Sequence, residues 1–68
     1  MDASEIVKRF SFHLATEVTG PQHYVIRARC MELAYSLNDL LPDSREKSEA
    51  FTHLEDVMMW SNACIARN

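Results

Sequence analysis

Six side chains of this 68-residue chain have the chemistry to hold a flat, anionic ligand. Phe10, Phe12 and His13 lie together near the start, Arg27 and Arg29 in the middle, and Arg67 near the end. Aromatic faces stack on heterocyclic rings and guanidinium forks pair with phosphate oxygens, so a convergence of the two would make a nucleotide site. The same residues have a plainer reading. Phe12 would anchor its segment on a neighbour, and the arginines would be surface charges or partners for Glu32 and Asp39. Residue types alone leave both readings open.

Other chemistry finds less support. His13, His23 and His53 are not spaced to put two ligands one helical turn apart. His53-Leu54-Glu55 is the His-x-Glu half of a zinc-deaminase set, but no Pro-Cys-x-x-Cys follows it. No nucleophile stands beside a base, and neither a glycine-rich phosphate loop nor a paired-carboxylate site is present. The expectation is a protein without metal or cofactor that is not an enzyme. Glu46, Glu49, Glu55 and Asp56 read as a solvated acidic face, with the first two favourably placed near a helix start.

The elements that must position these groups are helices. Gly20-Pro21 and Leu41-Pro42-Asp43 are the two breaks, and proline suits the first turn of a helix because its missing N–H would be unpaired there. Asp43-Ser44-Arg45-Glu46 resembles a capping box with Asp43 as the cap. The reading is all-α: a short helix near Ala3–Phe10 within an N-terminal arm (1–20), a loop at 11–19, a long helix at 21–41 and a second at 44–66, the whole chain one domain. The long helices are expected to pair as an antiparallel hairpin. Ile26, Cys30, Leu33, Leu37, Leu40 and Leu41 would form the seam on one side, and Ala50, Leu54, Val57, Met58, Cys64 and Ile65 on the other. On this count Cys30 and Cys64 are core residues about 15 Å apart along the axis, too far to bridge within one chain. The start of the first long helix and the end of the second meet opposite the turn, where Phe12, Arg27 and Arg67 could converge within a subunit or across an interface.

Each long helix also carries a second apolar stripe, Tyr24, Ala28, Met31 and Tyr35 on one and Met59, Trp60, Ala63 and Ala66 on the other. A hairpin buries one face of each helix, and an arm of about ten residues is too short to cover two helices of about 30 Å. Self-association is therefore expected, with an arm folded over a monomer as the alternative. Apolar letters make up 47% of the chain, which allows one small core, and the net charge of −3 makes long nucleic acid a poor partner while leaving room for a small anion. The longest wholly apolar run, 57–60, is far below a membrane span. The opening MDASEIVKRF carries acids and lacks a signal-peptide pattern, so a cytosolic address is expected.

Several segments are familiar in combination. Phe-Ser-Phe-His (10–13), a Gly-Pro linker, Ile-Arg-Ala-Arg (26–29), Glu-Leu-Ala (32–34), Leu-Pro-Asp-Ser-Arg-Glu-Lys-Ser (41–48) and Leu-Glu-Asp-Val-Met-Met-Trp-Ser-Asn-Ala-Cys-Ile-Ala-Arg-Asn (54–68) together resemble the small phage anti-CBASS nucleotide-sponge family. The hairpin also resembles part of the phage anti-Thoeris sponges. The resemblance implies a helical homohexamer in the cytoplasm of a bacterial host. It would sequester cyclic oligonucleotide messengers, such as 3′,3′-cyclic GMP-AMP, without cleaving them, and so keep a defence effector inactive. It further implies that Phe12, next to His13, stacks on a base where the family commonly has tyrosine. Arg27 would contact phosphate where the family commonly has lysine. Arg67 would serve a separate cyclic trinucleotide pocket made by several subunits, with Ala34 lining the same region. The competing functional reading is a helical protein-interaction module whose outer stripes dock a host protein and which takes no nucleotide.

Overall fold

A computed structural model describes residues 1–10 and 20–68; Phe12, His13 and the loop expected at 11–19 lie outside the described residues. Three helices, α1 (Ala3–Phe10), α2 (Gly20–Leu40) and α3 (Arg45–Arg67), make up the described fold, with no strand among those residues. The long helices form the expected hairpin around the turn at 41–44.

Each helix start has a local cause. Asp2 caps α1: its Oδ1 accepts from Glu5 N at 3.0 Å and from Ser4 Oγ at 2.7 Å. These two hydrogen bonds, the Ser4 hydroxyl foremost, hold its carboxyl below the usual carboxylate range. Pro21 occupies the first turn of α2. The cap of α3 is Ser44 rather than Asp43, because the Ser44 hydroxyl accepts from Lys47 N at 3.1 Å while its backbone is extended. Asp43 instead receives Lys47 Nζ at 3.1 Å, and that hydrogen bond, reinforced by the lysine charge, lowers the Asp43 pKa.

Lys47 also ties the hairpin together. Its ammonium, buried at the base of α3, donates to the Asn38 carbonyl at 3.2 Å. That oxygen is one of the last carbonyls of α2, which lack intrahelical partners and carry the negative end of the dipole.

The seam itself lies one residue from where the apolar pattern put half of it. Along α2 the inward positions are His23, Arg27, Cys30, Ala34, Leu37 and Leu41; along α3 they are Lys47, Phe51, Leu54, Met58, Ser61 and Ile65. Both sets step alternately by four and three, the 3.5-residue repeat of helices packed as an antiparallel coiled coil. Ala34 and Phe51 are fully buried, whereas Leu33, Leu40 and Val57 are 47, 76 and 55% exposed. Cys64, expected in the core, is exposed; Cys30 is buried, and burial raises its thiol pKa. The register follows from two cross-helix hydrogen bonds, Lys47 to Asn38 and His23 to Asn62. The same offset places Ala34 opposite Phe51, a small residue facing a large one, and Arg27 opposite Met58.

α1 folds back onto this hairpin. Asn38 Nδ2 donates to the Met1 carbonyl near the turn, and Arg9 Nη1 lies 3.3 Å from Glu55 Oε1 halfway up α3. The short helix thus starts at the turn, runs parallel to α3 and ends near mid-hairpin after about 12 Å. Phe10, grouped in the sequence with Phe12 and His13 as a ring that could stack on a ligand, is fully buried, as is Ile6. Each such side chain contributes roughly 1.5–3 kcal/mol on burial. Glu55, expected on the solvated acidic face, is half-buried and paired with Arg9. The described part of the arm, α1, does fold over the hairpin, against the half nearest the turn. Tyr24, Met59 and Trp60 remain exposed. No helix among the described residues is long and apolar enough to cross a membrane.

Candidate ligand-binding site

The half of the hairpin beyond α1 differs in charge from the rest of the chain. Residues 20–31 of α2 and 57–68 of α3 hold Arg27, Arg29 and Arg67 and no acidic side chain. The whole chain carries −3, and its described acids lie toward the turn and on α1. Among the described residues, the charged side chains of the open end are guanidinium groups. This segregation follows from where the two helices place their residues once the turn is fixed at Pro42, and total charge conceals it.

Arg27 sits on the α2 seam, one turn from His23, and is half-buried. Arginine suits such a position because its methylene stem is apolar and its head reaches the edge of the interface. The guanidinium carbon lies 5.9 Å from the centroid of the Tyr24 ring, within cation–π range. Tyr24 itself is 64% exposed. A guanidinium beside an exposed ring is chemically suited to an aromatic anion, with charge for phosphate and a face for a base. Arg29, further round the helix, pairs with Glu32 at 3.4 Å.

Below the last turn of α3, His23 Nδ1 lies 2.8 Å from Asn62 Oδ1, which puts a proton on Nδ1. Both residues are buried, at 4 and 7% exposure. A buried polar pair is tolerated where its hydrogen bond is made, and here it joins the open ends of the two helices. Arg67 then follows as the last residue of α3, exposed, in the last turn where a cation favours the helix dipole. Asn68 closes the helix by donating its N–H to the Cys64 carbonyl at 3.2 Å.

Of the residues expected at a site, the chain does not bring Arg27 and Arg67 together. Arg27 lies four residues from the His23–Asn62 level toward the turn and Arg67 five residues beyond it, an axial separation of about 13 Å. Ala34 lies in the core with no exposed surface, so in this protomer it offers nothing to a ligand. Phe12 and His13 lie outside the described residues. His23, Asn62 and Lys47 were missed by sequence reasoning as structural determinants. The available signal for His23 and Lys47 was their place on the four–three repeat, which a search for apolar letters passes over; Asn62 lies one residue past that repeat. No group of three or more His, Cys, Asp or Glu among the described residues is arranged to hold a metal ion.

Residues 1–66 match the family model described as the Acb2/Tad1 hairpin domain. No curated protein and no solved structure matches the chain.

Proposed function

The chain belongs to the Acb2/Tad1 hairpin family, the anti-CBASS and anti-Thoeris sponges, and on that premise we propose that it binds cyclic oligonucleotide messengers and withholds them from their effector without cleaving them. The observation that carries this reading is the family match over nearly the whole chain. The arginine-bearing end of the hairpin, with no Asp or Glu among its described residues, supports it, since sequestration needs cations that pair with phosphate and a ring that stacks, and needs no nucleophile.

In this reading the primary ligand is a cyclic dinucleotide such as 3′,3′-cyclic GMP-AMP. Arg27 pairs with phosphate, its planar fork replacing the point charge of a lysine. Phe12 stacks on a base, without the hydroxyl that a tyrosine would add, and His13 lies beside it in sequence. Arg67, a separate level up the hairpin, serves a second pocket for cyclic trinucleotides completed by other subunits. The assembly is a homohexamer acting in the cytoplasm of the infected bacterium.

The experiment is thermal melting of the protein with 3′,3′-cyclic GMP-AMP, with cyclic di-GMP and with cyclic tri-adenylate. A ligand held at about 1,000 times its dissociation constant stabilises by about 4 kcal/mol. At least one of the three should raise the melting temperature, and should be recovered chemically intact after the complex is denatured. No shift with any of them, or recovery of linear product, overturns the proposal.

A further inference from the structure

Tyr24 and Arg27 stand one turn apart on α2, with the guanidinium carbon 5.9 Å from the centre of the ring. Helix geometry explains why they meet. Long helical side chains lean toward the N-terminus of their own helix, so the Arg27 stem heads back toward residues 23 and 24. His23 is buried in the seam and bonded to Asn62, whereas Tyr24 is 64% exposed. The half-buried arginine stem therefore leaves the seam past His23, and its head comes to rest beside the Tyr24 ring.

Other arginines of the chain are held by acids. Arg29 pairs with Glu32, and Arg9 with Glu5 and Glu55. A carboxylate engages the same N–H fork that a phosphate needs and competes with it for the charge. An aromatic ring attracts a guanidinium through its face, and brings no anion to compete. We infer that Tyr24 is a positioning residue, whose ring holds the Arg27 guanidinium ready for the phosphate of a cyclic dinucleotide. The inference rests on the proposed function and adds to it the group that prepares the phosphate-binding cation. An arginine side chain has many rotamers, and ordering it only when the ligand arrives weakens binding. A cation–π contact at an exposed site favours the held arrangement by about two- to fivefold, and affinity gains by that factor. The ring face supplies the effect; the phenolic hydroxyl has no part in it.

The test is isothermal titration of 3′,3′-cyclic GMP-AMP and of cyclic di-GMP into the wild type, Tyr24→Phe and Tyr24→Leu, with far-UV circular dichroism to check the helices. Leucine keeps an apolar side chain and removes the π face. Tyr24→Leu should bind about two- to fivefold more weakly, while Tyr24→Phe should restore the wild-type affinity. Ring currents give a readout that needs no ligand: by NMR the Arg27 side-chain protons should lie upfield in the wild type and Tyr24→Phe relative to Tyr24→Leu. Undiminished binding by Tyr24→Leu, or a Tyr24→Phe protein as weak as Tyr24→Leu, overturns this inference and leaves the proposed function standing. A wild type that binds neither nucleotide overturns the dinucleotide reading and this inference with it. If Tyr24→Leu does not fold, the wild type decides. Arg27 side-chain protons upfield of those of an unstructured arginine peptide support the inference, and protons at the peptide's shifts overturn it.

Discussion

If the register derived from the two cross-helix hydrogen bonds holds, Ala34 and Phe51 are packing neighbours, and their substitutions must compensate. Both are fully buried. Ala34→Val adds two carbons to a filled site, and overpacking of this kind costs about 1–3 kcal/mol. Phe51→Ala would cost about 3–5 kcal/mol, as much as the whole stability of many chains of this length, about 3–10 kcal/mol. Phe51→Leu is the useful change: it deletes three carbons at about 0.8 kcal/mol each, roughly 2 kcal/mol. In the double variant the valine methyls enter the volume the ring has left. The combined loss should then fall short of the sum of the single losses by at least about 0.5 kcal/mol. Urea unfolding followed by circular dichroism at 222 nm measures all four proteins. It must be done at one protein concentration, because association adds a concentration-dependent term. Additive losses within about 0.3 kcal/mol would mean that the two residues do not meet, and the register with every level derived from it would be wrong.

Acid stability follows from the caps. Asp2 and Asp43 both have folded pKa values below the usual carboxylate value of about 4. Each therefore contributes stability that is complete above that value and lost as pH falls through the lower folded value. Unfolding midpoints should be level from pH 6 to 5 with respect to these two groups and drop below about pH 4. The Asp2→Asn/Asp43→Asn protein should show a shallower drop, and an identical acid slope would refute the assignment. For ligand binding, Arg27→Glu should weaken cyclic dinucleotide binding, while Arg67→Glu should chiefly weaken cyclic trinucleotide binding, both read by isothermal titration. Equal loss of both ligands in either variant would contradict two sites at different levels of the hairpin.

The helices were legible because their signals are local. Asp2 and Ser44 stand where a side-chain oxygen can meet a free N–H, and Pro42 prevents α2 from continuing. The seam was harder, for a physical reason visible residue by residue. Apolar letters select Leu33, Leu40, Ala50, Val57 and Cys64, and the true inward positions are the next residues along, Ala34, Leu41, Phe51, Met58 and Ile65, while Ile26 does pack, partly buried, against the core. Two apolar rows offset by one residue share the same seven-residue period, so periodicity alone cannot rank them. What decides is size matching and hydrogen bonding across the interface. Ala34 admits Phe51, His23 meets Asn62, and Lys47 satisfies Asn38, and each of these needs the partner helix to be known. Phe10 reads as a candidate ligand ring for a similar reason: the core it joins is built with α2 and α3, far along the chain.

The site was legible in its residue types and not in its arrangement. A total charge of −3 argues against long nucleic acid, and over the length of a polyanion that sum is the relevant quantity. A small ligand responds to a shorter range. Arg27 lies about 22 Å along the helix axis from the turn at Pro42, more than twice the Debye length of about 8 Å at physiological salt. The carboxylates of Asp39, Asp43, Glu46 and Glu49 near that turn are screened at such a distance. Among the described residues of the open end the charged side chains are Arg27, Arg29 and Arg67, with Arg29 paired to Glu32 at 3.4 Å, and the helix ends add unequally: the N-terminus of α2 is favourable to an anion, while the C-terminus of α3 is opposed and offset by Arg67. The hairpin, by folding two acid-free segments to one side of a proline turn, thereby gathers arginines of an acidic chain at one end.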